Sequence, residues 1–196
     1  MFLNISADKQ IYYEVKGAGS PVIFIPGWSL DHSVFVEQQE YLSKQNTVIL
    51  FDPPGTGQSS RFDKYSLDLE AEIIVQLLAE LELPLVHLIG WSMGGEAAMS
   101  LAVNYPKVAR SLTLICTTPC FVEREDWQHG MAKGAFRRVQ NRLKREPVET
   151  MKYFRQEAMA GSAQGQIEEV LISAGNRTEL SCAEQMFQEL GVVDLR

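Results

Sequence analysis

The sequence is short of cysteine, histidine and positive charge, and it contains no long hydrophobic run. Its three cysteines, Cys116, Cys120 and Cys182, are odd in number and show no paired metal-ligand spacing. That argues against a disulfide framework or a structural zinc site, and free thiols in a reducing cytoplasm are the expectation. No apolar stretch approaches the roughly 18 residues that span a bilayer. The first ten residues, MFLNISADKQ, lack the basic region and apolar core of an export signal. With 18 Lys and Arg against 25 Asp and Glu, the net charge is −7 and the pI about 5.0. This is a poor footprint for nucleic acid or anionic lipid. What is present is ordinary for a globular chain, 45% hydrophobic and 22% charged, which excludes a disordered or collagen-like polymer. A length of 196 residues suits one domain.

Short β-rich runs alternate with helical segments over residues 1–118. Such alternation predicts an α/β fold with a mostly parallel sheet. The runs 21–25, 47–51, 85–89 and 111–115 are nearly continuous in apolar residues and end in Gly, Pro or Ser, as central strands covered on both faces do. The run 11–15 reads as an antiparallel strand of a first hairpin. Helical spacing covers 35–43, 67–81 and 94–104, with Ile73, Ile74, Leu77, Leu78 and Leu81 on one face. From 119 to 190 the β pattern fades, and Lys, Arg, Glu, Gln, Ala and Met dominate. This reads as a helical cap inserted into the core of residues 1–118, with 191–196 beginning a return to it. Pro147 suits the first position of a helix, and Gly130, Gly161 and Gly175 are candidate breaks.

The residues richest in chemistry are Gly90-Trp91-Ser92-Met93-Gly94, followed by Gly95. They fit G-x-S-x-G between an apolar run and a helical pattern, the context in which a serine is raised on a sharp strand-to-helix turn as a nucleophile. The plainer alternative is a tight turn carrying a solvent-facing serine. Pro26-Gly27-Trp28 ends the 21–25 run, and in this architecture the backbone N–H of Trp28 would join that of Met93 in holding an oxyanion. Trp28 and Trp91 would bracket an acyl pocket, unless either indole is simply core. Asp52-Pro53-Pro54-Gly55-Thr56-Gly57-Gln58-Ser59 has the glycines of a phosphate loop but no following Lys-Ser/Thr. A shaped turn, with Asp52 bonding local backbone, is the better reading.

A serine hydroxyl needs a base, and the three histidines are poorly placed for that role. Only His129 follows Ser92, within the helical region and far from any strand. His32 sits beside a helix start, and His87 reads as a satisfied core residue. Charge is also unevenly spread. Residues 133–155 hold eight Lys and Arg against two Glu, a net +6 that leaves −13 for the rest. Arg138, Arg142 and Arg145 share one helix face at i, i+4, i+7. A solvated face and a docking face for an acidic partner are both open readings. RNA is disfavoured by the scarcity of aromatics in the patch.

Taken in order, P-G-W, D-P-P-G-x-G-x-S and G-W-S-M-G-G resemble the α/β-hydrolase superfamily. More narrowly, Gly27-Trp28, Gly90-Trp91-Ser92, Pro119-Cys120-Phe121 with Trp127, and Val193-Asp194-Leu195-Arg196 resemble the pimeloyl-[acyl-carrier protein] methyl ester esterases of biotin synthesis. Pro26 departs from that pattern, which often has histidine there. The resemblance implies a serine carboxylesterase with nucleophile Ser92, an oxyanion hole from Trp28 and Met93, and no metal or organic cofactor. It further implies a substrate pocket from Trp28, Trp91, Phe121, Tyr153 and Phe154. The acyl carrier protein would be the partner, met by Arg137, Arg138, Arg142, Arg145 and Arg155, with neither nucleic acid nor membrane involved. In that family two further strands follow the equivalent of 193–196 and carry the triad acid and base. The expectation is therefore a sheet lacking its C-terminal strands and completed by a dimer or a separate piece, with the 1–196 chain inactive alone and Asp194 not the triad acid. A general short-chain esterase, another hydrolase of this fold and an inactive scaffold are the alternatives.

Overall fold

The computed structural model describes residues 1–158 and 166–196; Gly161 lies outside them. Six strands form one sheet: β1 (Phe2–Asn4), β2 (Gln10–Lys16), β3 (Ser20–Ile25), β4 (Asn46–Phe51), β5 (Val86–Trp91) and β6 (Ala109–Ile115). They lie in the order β1-β2-β4-β3-β5-β6. The first two pair antiparallel, β2 runs antiparallel to β4, and the remaining pairs are parallel, with Val22 opposite Val48 and Phe24 opposite Ile89.

Alternation along the parallel strands builds two cores. Ile23, Ile25, Ile49 and Phe51 enter the larger one, beneath α2 (Leu67–Glu80) and α3 (Met93–Asn104). Val22, Phe24, Val48 and Leu50 pack on the other face with Phe35, which precedes α1 (Val36–Leu42). Ser66 starts α2 by accepting the Leu69 amide at 3.1 Å, and Asp68 and Glu70 face the positive end of the helix dipole. Leu81, grouped with the helix by its apolar spacing, is instead its C-cap.

The stretch 35–43 divides into a single 3-10 turn, His32–Phe35, and the short α1. Residues 120–132 are irregular and not helical; the bridges Val122 to Met131 and Arg124 to Trp127 hold them. Among the described residues four helices follow, α4 (Lys133–Arg145), α5 (Pro147–Ala158), α6 (Gln166–Asn176) and α7 (Leu180–Leu190), with Pro147 opening α5. Gly175 does not break a helix but lies within α6, where the Arg155 guanidinium occupies the space a side chain would need. An aromatic cluster joins these helices to the sheet: Phe136 stacks on Phe187 at 4.8 Å, and Trp28 meets Phe154 at 5.2 Å and Phe187 at 5.5 Å. At the far edge, β6 is exposed along its length, with Leu112, Leu114 and Ile115 38–42% accessible.

Candidate active site

Strand β3 sits between β4 and β5, so the chain leaves the carboxyl ends of β3 and β5 toward opposite sides of the sheet. A crevice opens at such a switch point. Ser92 stands there between β5 and α3, with φ 53° and ψ −121°. This left-handed backbone costs a non-glycine residue roughly 1–3 kcal/mol. Close packing enforces it: a Cβ at position 94 would lie 2.2 Å from the Ile25 carbonyl oxygen, one at 90 would lie 2.4 Å from the Gly94 carbonyl oxygen, and one at 95 would lie 2.5 Å from Thr117. The Ser92 amide is tied to the Ile115 carbonyl at 2.9 Å. Although Ser92 is the N-cap of α3, its side chain makes no cap hydrogen bond, which leaves the hydroxyl without a helix-capping role.

Two N–H groups flank this position. Met93 is the first residue of α3, so its amide has no acceptor within the helix. Trp28 makes no backbone hydrogen bond through its N–H among the described residues. Its indole is fixed by Nε1 donating to the Ala183 carbonyl at 2.8 Å.

A cavity of about 130 Å³ opens beside Ser92, and its wall includes Trp28, Trp91, Phe121, Phe154 and Arg155. Tyr153 is not on it. One residue away from Phe154 on α5, it points outward, 45% exposed, beneath the Arg142 guanidinium at 5.3 Å. Arg155 departs from its expected place in the opposite sense. It is 8% exposed and lines the cavity, so it does not belong to the surface patch. Arg137, Arg138 and Arg145 are exposed on α4, and Arg142 is partly so.

No histidine among the described residues bonds to Ser92. His32 Nδ1 is 2.6 Å from Asp52 Oδ1, His87 Nδ1 is 2.7 Å from Ser111 Oγ, and His129 lies against Trp127. His87 is half-buried at the sheet surface and not in the core. Burial of the His32 ring disfavours its charge, but the hydrogen bond its ring donates to Asp52 and the charges of Asp52, Asp31 and Glu14 outweigh this and raise its pKa. Asp31, His32 and Asp52 converge as a metal site would, yet their atoms are spent internally. Asp31 holds Arg177 at 2.5 and 2.9 Å, and Asp52 accepts the Gln58 amide at 2.8 Å as well as His32. Asp194 is likewise engaged, with Arg124 at 3.3 Å and Arg196 at 2.7 Å.

These features have counterparts in known proteins. The family model described as alpha/beta hydrolase fold matches residues 20–136. The chain belongs to the α/β-hydrolase fold family. Among its curated relatives, the pimeloyl-[acyl-carrier protein] methyl ester esterase of Xylella fastidiosa (strain M12) is 35% identical over 158 residues, 81% of this chain and 60% of the relative. The protein of the same name from Stenotrophomonas maltophilia (strain R551-3) is 34% identical over 191 residues, 95% of this chain and 71% of the relative. This α/β-hydrolase chain thus spans about 60% of the length of the first such relatives. An esterase from Exiguobacterium antarcticum superimposes with a TM-score of 0.92 at 25% identity, over 100% of this chain and 74% of that one. A bromoperoxidase from Bacillus anthracis, 22% identical with a TM-score of 0.87 over 95% of this chain and 71% of its own, shares the fold.

Behind the turn lies a buried acid that sequence reasoning missed. Glu96, in the first turn of α3, is 1% exposed, and burial, followed by the charge of Glu189, pushes its carboxyl up to about 8. Burial lifts Glu70 to about 7, against the lowering effect of its hydrogen bond from Tyr65. Both start from an ordinary value of 4.5, so near neutrality the folded chain holds protons that the unfolded chain has released. Their contribution to stability is therefore full below about pH 4.5 and is lost as pH rises through 7 to 8. Urea titrations should show stability falling by on the order of a few kcal/mol between about pH 5 and pH 8.5. Glu96→Gln should flatten the upper part of that slope. Stability that rises across this window would contradict the assignment.

Proposed function

We propose that the protein is a serine carboxylesterase that hydrolyses the methyl ester of a dicarboxylic acyl chain carried on an acyl carrier protein. The observation that carries this reading is the strained Ser92 turn between two unengaged amides and above an apolar cavity. Ser92 Oγ attacks the ester carbonyl while the Trp28 and Met93 amides hold the oxyanion. The serine proton passes through a base to the departing methoxide, which leaves as methanol, and water then releases the acid and restores the serine. His32, His87 and His129 each have other neighbours, so this reading assigns the base to none of them. The relatives supply the choice of ester.

Protein isolated from its native cells tests this reading against carrier-bound methyl, small methyl and p-nitrophenyl esters. Turnover of the carrier-bound ester that disappears in Ser92→Ala supports it. Preference for short p-nitrophenyl esters would favour a general esterase, and failure of Ser92 to react with a fluorophosphonate would favour an inactive scaffold.

Carrier docking falls to α4. Arg137, Arg138, Arg142 and Arg145 present positive charge to an acidic partner, and rim charges of this kind govern encounter and salt dependence. Replacing Arg138, Arg142 and Arg145 with Glu should weaken carrier binding about tenfold or more at low salt and flatten its ionic-strength dependence. Binding of a small methyl ester should be unchanged. Equal loss on both ligands would make the face structural.

A further inference from the structure

The cavity beside Ser92 contains one feature that ester hydrolysis does not use. Its wall is mostly aromatic and aliphatic, yet it includes Arg155, a residue more than nine-tenths buried. Nε and Nη1 of that side chain have no hydrogen-bond partner among the described residues. Burial alone depresses its pKa, with no carboxylate acting against it. Residues 159–165, Met-Ala-Gly-Ser-Ala-Gln-Gly, contain no acid and so bring no carboxylate. A buried guanidinium with two unpartnered nitrogens is unfavourable, and a planar fork of N–H donors is matched best by a carboxylate. Space has been left for this group: a Cβ on Gly175 would lie 2.1 Å from Nη1.

We infer that Arg155 makes this cavity a binding site for acyl esters with a free carboxylate at the remote end, namely monomethyl esters of short straight-chain dicarboxylic acids. The methylene chain would lie along Trp28 and Phe154, with the ester at Ser92 and the carboxylate on Arg155. Methyl esters of monocarboxylic acids would fill the same space but leave the guanidinium unpaired. The inference rests on the proposed esterase reading for the position of the ester. It adds a ligand that needs no carrier and makes Arg155 a specificity-determining residue, not a catalytic one.

Titration calorimetry on the 196-residue chain tests it, with the monomethyl esters of glutarate, adipate and pimelate set against methyl hexanoate. At least one half-ester is expected to bind tenfold or more tightly than methyl hexanoate. Arg155→Met, close in volume but neutral, should erase that preference, read as the ratio of half-ester to methyl hexanoate affinity within the variant, while the circular dichroism spectrum is unchanged. Arg155→Lys should restore part of it. Should Arg155→Met fail to fold, Gly175→Ala provides the answer, since it retains the charge but displaces the guanidinium, and the preference should shrink several-fold. Equal affinity for charged and neutral esters in the parent chain would overturn the inference, as would a preference that survives Arg155→Met or, where that variant does not fold, Gly175→Ala. Ser92→Ala should retain the half-ester preference, so failure of Ser92 as nucleophile and failure of Arg155 as carboxylate site give different results.

Discussion

Assayed alone against methyl and p-nitrophenyl esters, the 196-residue chain is expected to run on the order of 10⁶-fold below a complete serine esterase, the typical cost of losing the serine's base. The reason is geometric. The Ser92 backbone is strained into place and two amides flank it, so oxyanion stabilisation survives and should leave a residue of roughly 10³-fold or more over water. Proton removal is what fails. His32 is held at 2.6 Å by a carboxylate that favours its charged form, a poor state for a base. His87 is paired with Ser111 at the interface of β5 and β6, and His129 is exposed against Trp127. Steady-state assays with Ser92→Ala as the blank decide the matter. Turnover within about tenfold of an ordinary esterase, at a kcat near 10 s⁻¹, would overturn the proposal. Its loss in His129→Ala would then make that residue the base.

Legibility in the sequence followed physical constraint. The runs 21–25 and 47–51 were readable because strands buried on both faces must be apolar throughout, and Ile23, Ile25, Val48 and Leu50 all lie within the two cores. The Ser92 turn was readable because its glycines have no substitute: a Cβ at 90, 94 or 95 has nowhere to go. By contrast, β1 is three residues long, too short for any period to show. Residues 120–132 are held by single bridges between partners three and nine positions apart, which impose no repeating pattern. Arg155 was misplaced because a charge count takes no account of helix face. Thr150, Met151 and Phe154 recur at helical spacing with it on the inward side of α5, and that stripe, set beside the outward Tyr153, was the available signal. Glu96 could be found only from the way α3 packs, since an acid in a first turn usually reads as complementing the helix dipole.

The exposed edge of the sheet leads to the other large expected effect. Strand β6 pairs with β5 along one side, and among the described residues nothing pairs with its other side. Both of its faces are open, whereas the inner residues of β3 and β4 are buried. A seven-residue strand carrying Leu112, Leu114 and Ile115 into solvent combines unpaired N–H and C=O groups with apolar side chains, the combination that templates pairing with another chain. Purified 1–196 is therefore expected to be dimeric or larger by light scattering at micromolar concentration, with association that strengthens as salt is raised, since it buries apolar surface in a chain of net charge −7. Leu112→Lys together with Leu114→Lys places like charges along that edge and should return the chain to monomer. The stability cost should be under about 1 kcal/mol, because exposed side chains contribute little to the core. A parent chain that stays monomeric at high salt would show that the edge is protected, while a double-lysine variant that still associates would move the contact to another surface.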